Sequence, residues 1–560
     1  MADMPTDNDA NASANAETVA IASARDRVNA LRSCLEASEG SAVRLIETHI
    51  SWVLLTAAFA YKLKKPVQLP FLDFTTLAAR RHFCVEELRL NRRLAASVYL
   101  DVVDVCDSPQ GPRFGGAGQV LDVALRMRRF PDGALWSEML SEGRLAANHI
   151  DAMALRLADF HRDAAVAAPD SGFGSAQVQR RVTQGIIDAI DAIDAIDAVR
   201  SIQRSQRAAT THGLAIDWPA LRDWLAQQQR ALAPRWAARL RAGRVRECHG
   251  DLHLSNVLQL DGVASAFDGI EFDAELRWID VLDDIAFLAM DLIAQGQRPL
   301  AARFINAYLD ASGDHDGLPA LRFFMVRRAL VRAQVMALRE PARHDNPAAA
   351  RSGTADYLAT ASALAAHNNA RLAITHGLPG SGKSFTSQRL IEAVGAIRVR
   401  SDVERKRLFG LGALQSSQGR VPGGIYTDDA TRRTAARLHE VARTALGAGW
   451  PVLVDAAFLR RAERRKFAAL AASLALPFSI FDCKATLPLL RQRVEQRALR
   501  QASGVADASE ADVAVLERLR DADEPLDEAE RALAIVVDAD AAPPVAPATL
   551  AAHWLAAVPP

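Results

Sequence analysis

The sequence predicts two domains of different class, an α+β domain followed by an α/β domain with a parallel sheet. The chain has 560 residues, which is enough for two large domains. Strand-like runs rich in Val, Ile and aromatic residues occupy residues 44–67 and 245–272, and helical Ala-, Leu- and Arg-rich sequence lies between them. After residue 370, apolar strand runs alternate with helical runs, which is the pattern of βαβ units.

Composition limits the classes of partner. Basic and acidic residues number 67 each, so the net charge is zero, which argues against general binding of nucleic acid or membrane surfaces. The five cysteines are scattered and form no C-x-x-C pair, which is typical of a reduced protein. The start, "MADMPTDNDANASANAE", is acidic, and the longest apolar run is too short to cross a bilayer. We therefore expect a cytoplasmic protein with no membrane partner.

Composition also predicts domain boundaries. We expect a flexible tail over residues 1–22, a first domain over 23–342, a linker over 343–369, a second domain over 370–540 and a Pro/Ala-rich tail over 541–560. Within the first domain, "IIDAIDAIDAIDAV" repeats every three residues, which does not match the helical period. We interpret it as a low-complexity helix extension rather than a ladder of metal-binding carboxylates.

The stretch "GLPGSGKS" fits the phosphate-binding pattern G-x-x-x-x-G-K-[ST] without a mismatch. An apolar strand precedes it and a helix follows it, as the pattern requires. The backbone N–H groups around Gly377, Gly380 and Gly382 would surround phosphate oxygens. Lys383 would supply a charge at the β- and γ-phosphates of ATP, and the Ser384 hydroxyl would bind Mg²⁺.

Further residues of the second domain fit nucleotide chemistry. Asp455 ends an apolar strand, as does the carboxylate that orders Mg²⁺ in such sites. In "VRSDVERKRLFG", Asp402 follows a strand and Arg405 lies one helical turn later. This half resembles the small P-loop kinases that phosphorylate a small molecule or a polynucleotide end. The resemblance implies that Asp402 is the base or an orienting group, that Arg405 holds the acceptor, and that Arg497 and Arg500 belong to a phosphate-binding lid. The alternatives for these residues are a helix-capping Asp and a solvated charged helix.

The stretch "CHGDLHLSNV" admits three interpretations. His249, Asp251 and His253 alternate and would share one face of a strand, as metal ligands could. A satisfied polar turn is the second. The third explains more residues, because H-x-D-x-x-x-x-N is the catalytic-loop spacing of protein-kinase-like phosphotransferases. In it Asp251 positions the acceptor hydroxyl, and Asn256 and, one hairpin later, Asp268 bind Mg²⁺.

A kinase of this type also needs an upstream lysine on a strand and a glutamate on the next helix. Lys62, in "FAYKLKKPV", and Glu87, in the following helix, fit these positions, and Lys64 with Glu86 is one slip away. The expected G-x-G-x-x-G is absent, because the stretch ahead of the lysine reads "LTAAFAYK". That absence leaves a slow kinase or an ATP-binding pseudo-kinase open.

The first half resembles the aminoglycoside phosphotransferase and choline-kinase group, in "HGDLHLSN", "LADFH" and the lysine strand. With "ETHISWVLL", "FLDFTTLAARRHFC", "EELRLNRRLA" and "RWIDVLDDIAFLAMDL", the chain resembles a bacterial family that fuses such a domain to a C-terminal P-loop ATPase or kinase domain. The resemblance implies an α+β protein-kinase-like fold, then an α/β P-loop kinase fold, with ATP and Mg²⁺ as cofactors.

We therefore expect an ATP- and Mg²⁺-dependent phosphotransferase that acts on a hydroxyl of a small molecule. An aminoglycoside acceptor would need an acidic pocket, and "EFDAELRWIDVLDD" offers six acids that could equally be caps and ion pairs. Two alternatives stay open. One is a regulatory ATP-binding protein, and the other is a polynucleotide-end kinase that uses the basic stretch "RRAERRK", although the neutral net charge makes a nucleic-acid partner unlikely.

Overall fold

The structure is a computed structural model that describes residues 7–69, 72–204, 217–339, 347–417, 420–421, 424–503, 507–541 and 545–558. The chain divides into two compact units. Unit 1 comprises Met1–Leu145, Ala164–Gly174 and Gly243–Asp284, and unit 2 comprises Ala146–Asp163, Ser175–Ala242 and Ile285–Pro560. The segment from Ile285 to residue 342, which we expected in the first domain, therefore lies in the same unit as the P-loop sequence.

Unit 1 is an α+β unit, as predicted. Its elements are α1 (Asp7–Glu39), β1 (Arg44–Glu47), β2 (Ser51–Leu55), β3 (Phe59–Lys64), β4 (Gln68–Leu69), β5 (Leu72–Asp73), α2 (Leu77–Ala95), β6 (Tyr99–Cys106), β7 (Arg113–Phe114), β8 (Val120–Arg128), α3 (Trp136–Ser141), β9 (Val245–Glu247), β10 (Val257–Leu260), β11 (Val263–Ala266), α7 (Ala274–Arg277) and β12 (Trp278–Asp280).

The main sheet of unit 1 has six strands in the order β1-β2-β3-β8-β6-β7, all antiparallel. Helix α1 packs through Ala24, Val28 and Leu31 into a core that includes Trp52 and Leu54 of β2. The α2 residue Cys84 packs into a second core with strand residues that include Leu125 of β8. The sheet thus holds β3, the strand of Lys62, between buried neighbours on both edges.

The predicted hairpin at Asp261-Gly262 is present. Strands β10 and β11 pair antiparallel, with Leu260 opposite Val263. Asp261 has φ 52° and Gly262 has φ 77°, which is the conformation of a two-residue type I′ turn. The hairpin leads the chain to Asp268, twelve residues after Asn256.

Unit 2 contains the remaining elements. They are α4 (Ala147–Asp163), α5 (Ala176–Arg204), α6 (Trp218–Arg241), most of α8 (Val281–Ala294), α9 (Arg298–Ser312), α10 (Leu318–Arg339), α11 (Pro347–Ala366), β13 (Arg371–His376), α12 (Lys383–Val394), β14 (Ile397–Arg400), α13 (Ser401–Leu408), α14 (Asp428–Gly447), β15 (Pro451–Asp455), α15 (Arg461–Ser473), β16 (Phe478–Lys484), α16 (Leu487–Ala502), α17 (Val513–Asp521), α18 (Glu528–Ala532), β17 (Ala534–Asp538) and α19 (Pro547–Ala556).

The sheet of unit 2 is parallel, as the βαβ pattern predicts. Its five strands follow the order β14-β15-β13-β16-β17. The core strands are nearly continuous apolar runs, because helices cover both faces of such a sheet. Strand β13 lies in the centre and leads directly into the "GLPGSGKS" loop, so the loop lies at the carboxyl edge of the sheet, where ligands of α/β folds bind.

Three segments predicted to be a tail or a linker contain helices. Helix α1 covers most of the predicted N-terminal tail, α11 covers most of the predicted linker, and α19 lies in the predicted C-terminal tail. The physical reason is burial: Trp554 of α19 is fully buried against Phe481, and Tyr357 of α11 is buried and donates a hydrogen bond to Asp291 at 2.5 Å. The low-complexity repeat lies within α5, whose side chains are described only as far as residue 192.

Among the described residues, we find no helix with the length and apolarity needed to cross a membrane.

Candidate functional site

The lysine strand and the glutamate helix meet in unit 1. Lys62 Nζ lies 2.8 Å from Glu87 Oε1 and 2.5 Å from Asp268 Oδ1. Glu87 is fully buried on the face of α2 that also carries Cys84 and Leu94, at helical spacing. Three residues that are widely separated in the sequence are therefore brought into one ionic cluster.

The neighbouring lysine, Lys64, belongs to the same cluster. Its ammonium lies 2.8 Å from Glu87 Oε2 and also contacts the carboxylate of Glu271. Glu87 therefore bridges both lysines, whereas Glu86 pairs with Arg89 near the surface. The sequence did not identify Glu271 as a member of the site; its buried position beside a lysine becomes visible only in the fold.

The electrostatics of the cluster favour the ionised forms. Burial would lower the pKa of Lys62, but the carboxylates of Asp268 and Glu87 outweigh burial and raise it well above its usual range. Burial would raise the pKa of Glu87, but the two lysines lower it to about 2. Glu271 behaves differently, because burial there outweighs the lysines and raises the pKa of its carboxyl group.

The catalytic-loop residues contact each other. Asn256 Nδ2 donates to the carbonyl oxygen and to Oδ2 of Asp251, both at 3.0 Å. The carbonyl of Asn256 accepts from Phe267 N at 3.0 Å, which places the following residue, Asp268, beside the loop. The H-x-D-x-x-x-x-N stretch and the Asp after the hairpin thus form one local arrangement.

The two histidines of the loop use ring nitrogens within the loop. His249 Nδ1 accepts from Asp251 N at 3.3 Å, and its Nε2 lies 2.9 Å from the carbonyl oxygen of Phe267. His253 Nδ1 accepts from Ser255 N at 3.2 Å, and its Nε2 lies 3.5 Å from Asp251 Oδ2. Because these nitrogens hold the loop, the metal-triad interpretation loses its ligands.

Asp268 has a strained backbone. Its φ is 61°, which is uncommon for a residue with a Cβ, and such strain clusters at functional sites. The Tyr99 hydroxyl accepts from Asp268 N at 3.0 Å, and Asn91 Oδ1 accepts from Gly269 N at 2.8 Å. Two residues from other elements therefore hold the conformation that turns the carboxylate toward Lys62.

Of the six acids considered for a cationic acceptor, Glu271, Asp273, Asp280 and Asp284 have structural partners. Glu271 contacts Lys64, Asp273 caps α7, and Asp280 accepts from Leu282 N. Asp284 accepts from the backbone N–H groups of His249 and Gly250 at 3.1 and 2.8 Å, and so holds the start of the catalytic loop. Asp283 is fully buried. These positions match caps and ion pairs better than an acidic acceptor pocket.

Neither hairpin turn ahead of Lys62 contains glycine. The β2–β3 turn, within "LTAAFAYK", is closed by Thr56, whose Oγ1 accepts from Phe59 N at 3.2 Å. The β1–β2 turn is closed in the same way by Thr48, whose Oγ1 accepts from Ser51 N at 3.0 Å. The missing glycine motif is therefore replaced by two turns that side chains hold shut.

In unit 2, the phosphate-binding loop has the expected backbone. Gly377, Gly380 and Gly382 have φ of 139°, 87° and 90°, which only glycine adopts easily. Lys383 begins α12, and its Nζ donates to the carbonyl oxygens of Gly377 and Leu378 at 2.8 Å each. Burial lowers the pKa of Lys383, although Asp455 opposes this effect.

We expect Gly377→Ala to damage this loop. An added Cβ would lie 2.4 Å from the carbonyl oxygen of Cys483, in addition to the strain of a positive φ. The free energy of unfolding should fall by about 2–4 kcal/mol, and nucleotide binding should be lost.

The matched control for that variant is Gly395→Ala. Gly395 follows α12 with φ 75° but has no atom within 4 Å of an added Cβ, so it carries the strain without the clash. Denaturant unfolding of both variants measures the difference. Equal losses of stability in the two would show that the close approach at Gly377 has no consequence.

The two residues expected to bind Mg²⁺ in this unit are Asp455, at the end of β15, and Ser384, in the first turn of α12. Asp455 ends β15 and is buried, and Ser387 Oγ donates to its Oδ2 at 3.0 Å. Ser384 lies one turn earlier on α12 and is exposed. Arg400 Nε, from the end of β14, lies 4.0 Å from Asp455 Oδ2. Sequence reasoning did not identify Arg400, although it stands two residues before Asp402.

Asp402 and Arg405 lie in α13, but they face different partners. Burial raises the pKa of Asp402, while Arg400 and the Ser509 hydroxyl oppose the rise. Arg405 Nη1 donates to the carbonyl of Ile425 at 3.3 Å and to Thr431 Oγ1 at 3.1 Å. Arg405 is therefore held by the "GGIYTDDATRRTAARL" segment.

We expect the raised pKa of Asp402 to appear in a pH profile of the second domain. A carboxyl with a raised pKa becomes protonated, and stops acting as a base, at a higher pH than an ordinary aspartate, whose pKa is about 3.9. As the pH is lowered, the rate of phosphate transfer by the second domain should therefore begin to fall while the pH is still above about 3.9. Asp402→Asn should remove this limb together with most of the activity, and a limb that persists in the variant would contradict the assignment.

The two arginines predicted to belong to the phosphate-binding lid, Arg497 and Arg500, differ in their positions relative to the loop. Arg497 Nη2 donates to the carbonyl of Ala511 at 2.5 Å, and its charge lowers the pKa of Lys383, so it is electrostatically close to the loop. Arg500 is exposed near the end of α16. Arg493, one turn before Arg497, donates to the carbonyl of Gly380 at 3.2 Å. The structure thus brings Arg493, which the sequence did not single out, to the loop, and it leaves Arg500 outside.

A family model described as "AAA domain" matches residues 372–526. The "Uncharacterized protein Rv2004c" of Mycobacterium tuberculosis is 30% identical over 482 residues, which cover 85% of this chain and 90% of the relative. The chain belongs to the family of that protein. The family model and the parallel sheet of unit 2 confirm the predicted C-terminal P-loop domain, and unit 1 has the predicted α+β class.

Solved structures also resemble parts of the chain. An ethanolamine kinase of Plasmodium vivax matches with 12% identity and a TM-score of 0.33, over 58% of this chain and 81% of its own. A gluconokinase of Sinorhizobium meliloti matches with 20% identity and a TM-score of 0.23, over 34% of this chain and 92% of its own.

Proposed function

We propose that this member of the family is an ATP- and Mg²⁺-dependent phosphotransferase that transfers the γ-phosphate to a hydroxyl of a small molecule, with two nucleotide sites. The observation that carries the proposal is the position of Lys62. Its ammonium contacts Glu87 and Asp268. Asp268 directly follows Phe267, whose N–H donates to the carbonyl of Asn256, and the Asn256 amide donates to Asp251. This is the charge arrangement that positions phosphates and an acceptor hydroxyl.

In the first site, Lys62, Asp251 and Asn256 each have a separate role in the proposed reaction. Lys62, held by Glu87, neutralises charge on the phosphates. Asp251 accepts a hydrogen bond from the acceptor hydroxyl and takes its proton as the acceptor oxygen bonds to the γ-phosphorus and the bond from that phosphorus to the β–γ bridging oxygen breaks, which releases ADP. Asn256, which donates to Asp251 at 3.0 Å, fixes the carboxylate in the orientation that the reaction needs. Catalysis is then mainly positioning and electrostatic stabilisation.

In the second site, the loop backbone binds the phosphates and Lys383 must leave its carbonyl partners to reach them. Asp402 would take the proton of the acceptor. Arg405 would contact the acceptor at the 424–431 segment, where Tyr426 stacks under its guanidinium at 5.1 Å. Arg493 and Arg497 are the nearer sources of positive charge on the lid helix.

The donor sets of both sites fit Mg²⁺, which prefers oxygen ligands. In the first site Asn256 and Asp268 supply amide and carboxylate oxygens. In the second, Ser384 supplies an exposed hydroxyl and Asp455 a carboxylate. When bound, Mg²⁺ neutralises charge on the β- and γ-phosphates.

The test is transfer of labelled phosphate from ATP in the presence of Mg²⁺. Wild type, Asp251→Ala and Lys383→Ala are compared against sugars, aminoglycosides, nucleosides and 5′-hydroxyl oligonucleotides. A product lost with one variant assigns that acceptor to one domain. ATP binding with only slow hydrolysis, lost in Lys383→Ala, would overturn the kinase role of the first domain.

One observation favours the regulatory alternative for the first domain. Two turns, each closed by a threonine side chain, stand where a flexible glycine loop is expected. Such a site would bind nucleotide without turnover. It predicts ATP affinity that survives Asp251→Ala and no phosphorylated product from any acceptor.

The polynucleotide alternative is weakened by the partners of the basic stretch 460–466. Arg464 is buried and pairs with Glu530 at 2.8 Å. Arg461 and Arg465 lie 3.5 and 3.7 Å from Asp527 Oδ2. Since acidic side chains already accompany these arginines, the stretch is a poor track for phosphates.

A further inference from the structure

Helix α9 covers the free edge of the parallel sheet in unit 2. Strand β14 is an edge strand, paired on one side with β15. On its other side the buried Asn306 of α9 donates to the carbonyl of Ala396 at 2.9 Å, and its Oδ1 accepts from Arg398 N at 2.6 Å. The side-chain amide of Asn306 thus bonds the two backbone groups that a neighbouring strand would otherwise bond. These two hydrogen bonds fix α9 against β14.

One turn further along α9, Asp310 faces the arginines of β14. Its Oδ2 lies 3.2 Å from Arg398 Nη2 and 3.7 Å from Arg400 Nη1. Arg407 Nη2, from α13, donates to the carbonyl of Asp310 at 2.6 Å and so also holds this turn. Asp310 is therefore a fixed negative charge behind the strand that leads to Asp402.

Arg400 connects this charge to the nucleotide site. Its Nη1 lies 3.7 Å from Asp310 Oδ2, and its Nε lies 4.0 Å from Asp455 Oδ2. A cation beside a carboxylate competes with any metal ion that the same carboxylate binds, because like charges repel.

We propose that Asp310 of α9 and Arg400 of β14 are positioning residues that set the Mg²⁺ affinity of the P-loop site through Asp455. Asp310 draws Arg400 away from Asp455 and balances its charge. The inference rests on the proposed function, in which Asp455 binds Mg²⁺. Helix α9 lies ahead of the P-loop in the sequence. The Mg²⁺ affinity of the P-loop site therefore depends on a side chain of an upstream helix.

The direction of the effect follows from charge. Asp310→Asn leaves Arg400 with Asp455 as its main carboxylate, so Mg²⁺ binds less well. The Mg²⁺ concentration for half-maximal nucleotide binding should rise by about tenfold, since a charge at this range typically shifts an ionic equilibrium by a factor of ten or more. Arg400→Gln removes the competing cation and should lower the same concentration.

The experiment titrates Mg²⁺ into the full-length protein with a fluorescent N-methylanthraniloyl derivative of ATP. The signal of the P-loop site is the part that Lys383→Ala removes. The control is Glu392→Gln, which breaks the 2.8 Å pair between α9 Arg303 and α12 but carries no charge beside Arg400. The key variant combines Asp310→Asn with Arg400→Gln, in which the effect of the first substitution should disappear.

The inference is supported if Asp310→Asn raises the Mg²⁺ concentration needed for half-maximal nucleotide binding and Glu392→Gln does not change it. It also requires that adding Asp310→Asn to Arg400→Gln causes no further rise in that concentration. A rise that persists in the double variant, or an equal rise in Glu392→Gln, would overturn the inference and indicate a general loosening of α9. Should Asp310→Asn fail to fold, Arg400→Gln decides, and an unchanged or raised requirement overturns the inference. A signal insensitive to Lys383→Ala would remove the proposed function and this inference with it.

Discussion

Asp251→Asn is expected to lower the turnover of the first domain by about 10²- to 10⁴-fold, the usual contribution of a positioned general base. The amide cannot take the proton of the acceptor hydroxyl, but it can still accept the hydrogen bond from Asn256 that orders the loop. Nucleotide binding should therefore change little. The measurement is the initial rate of phosphate transfer together with the affinity for ATP.

A neighbouring carboxylate supplies the control for Asp251. Asp273 caps the short helix α7 and accepts from Glu275 N at 2.8 Å, and Asn can also make this cap. Asp273→Asn should retain full turnover. If Asp251→Asn keeps the wild-type rate with an acceptor that the first domain phosphorylates, Asp251 is not the base.

Local patterns in the sequence predicted the elements that carry both candidate sites. The P-loop motif, the strand ending at Asp455 and the Asp261-Gly262 hairpin depend on residues close together in the chain, so spacing alone locates them. Lys62 and Glu87 required one further assumption, that a lysine strand pairs with the next helix. The observed cluster matches that choice over Lys64 with Glu86, but it also includes Lys64, which the sequence treated as an alternative.

Charged partners from distant elements could not be predicted from spacing. Glu271 meets Lys64 only because the sheet and the segment after the β10–β11 hairpin come together. Arg400 and Asp310 lie 90 positions apart, and nothing in either local sequence indicates the other. Arg493 was predictable in principle, because it stands one helical turn before Arg497, but the side of α16 that faces the loop is set by packing.

The helices within the predicted tails and linker were not expected, because composition was given more weight than pattern. Helix α1 continues past residue 22, where Ala24, Val28 and Leu31 recur at helical spacing and are buried, and Ile21 of the predicted tail packs against the same core. In α19, Leu550 and Trp554 are four residues apart, on one buried face. A run rich in Ala and Pro reads as disorder, yet Pro547 stands in the first turn of α19, where a missing N–H costs nothing.

Glu87→Gln is expected to destabilise unit 1 more than any other single charge removal in the cluster. Glu87 is fully buried and bridges Lys62 and Lys64, so its loss leaves two buried ammonium groups with one carboxylate partner fewer each. Breaking a buried ion pair by removing one partner typically costs about 3–5 kcal/mol of unfolding free energy. ATP affinity of the first site should fall too, because Lys62 loses the group that holds it.

Its matched control is the preceding residue on the same helix, Glu86→Gln. Glu86 pairs with Arg89 near the surface, and such a pair contributes about 0–1 kcal/mol. Denaturant unfolding of the two variants should therefore differ by several kcal/mol. Comparable losses would show that the buried bridge contributes no more than a surface pair.

The free energy of unfolding of the wild-type protein should also depend on pH through Glu87. The pKa of Glu87 is lowered in the folded protein to about 2, below the roughly 4.3 of an exposed glutamate. The unfolded chain therefore binds a proton first as the pH falls, so stability from Glu87 is complete above about pH 5 and is lost progressively toward pH 2. The raised pKa of Glu271 acts in the opposite direction, since burial makes that carboxyl take up a proton earlier in the folded state. Glu87→Gln should remove the acid-side loss, and if acid unfolding is as steep in the variant as in the wild type, the bridge is not ionised in the way that its contacts with the two lysines require.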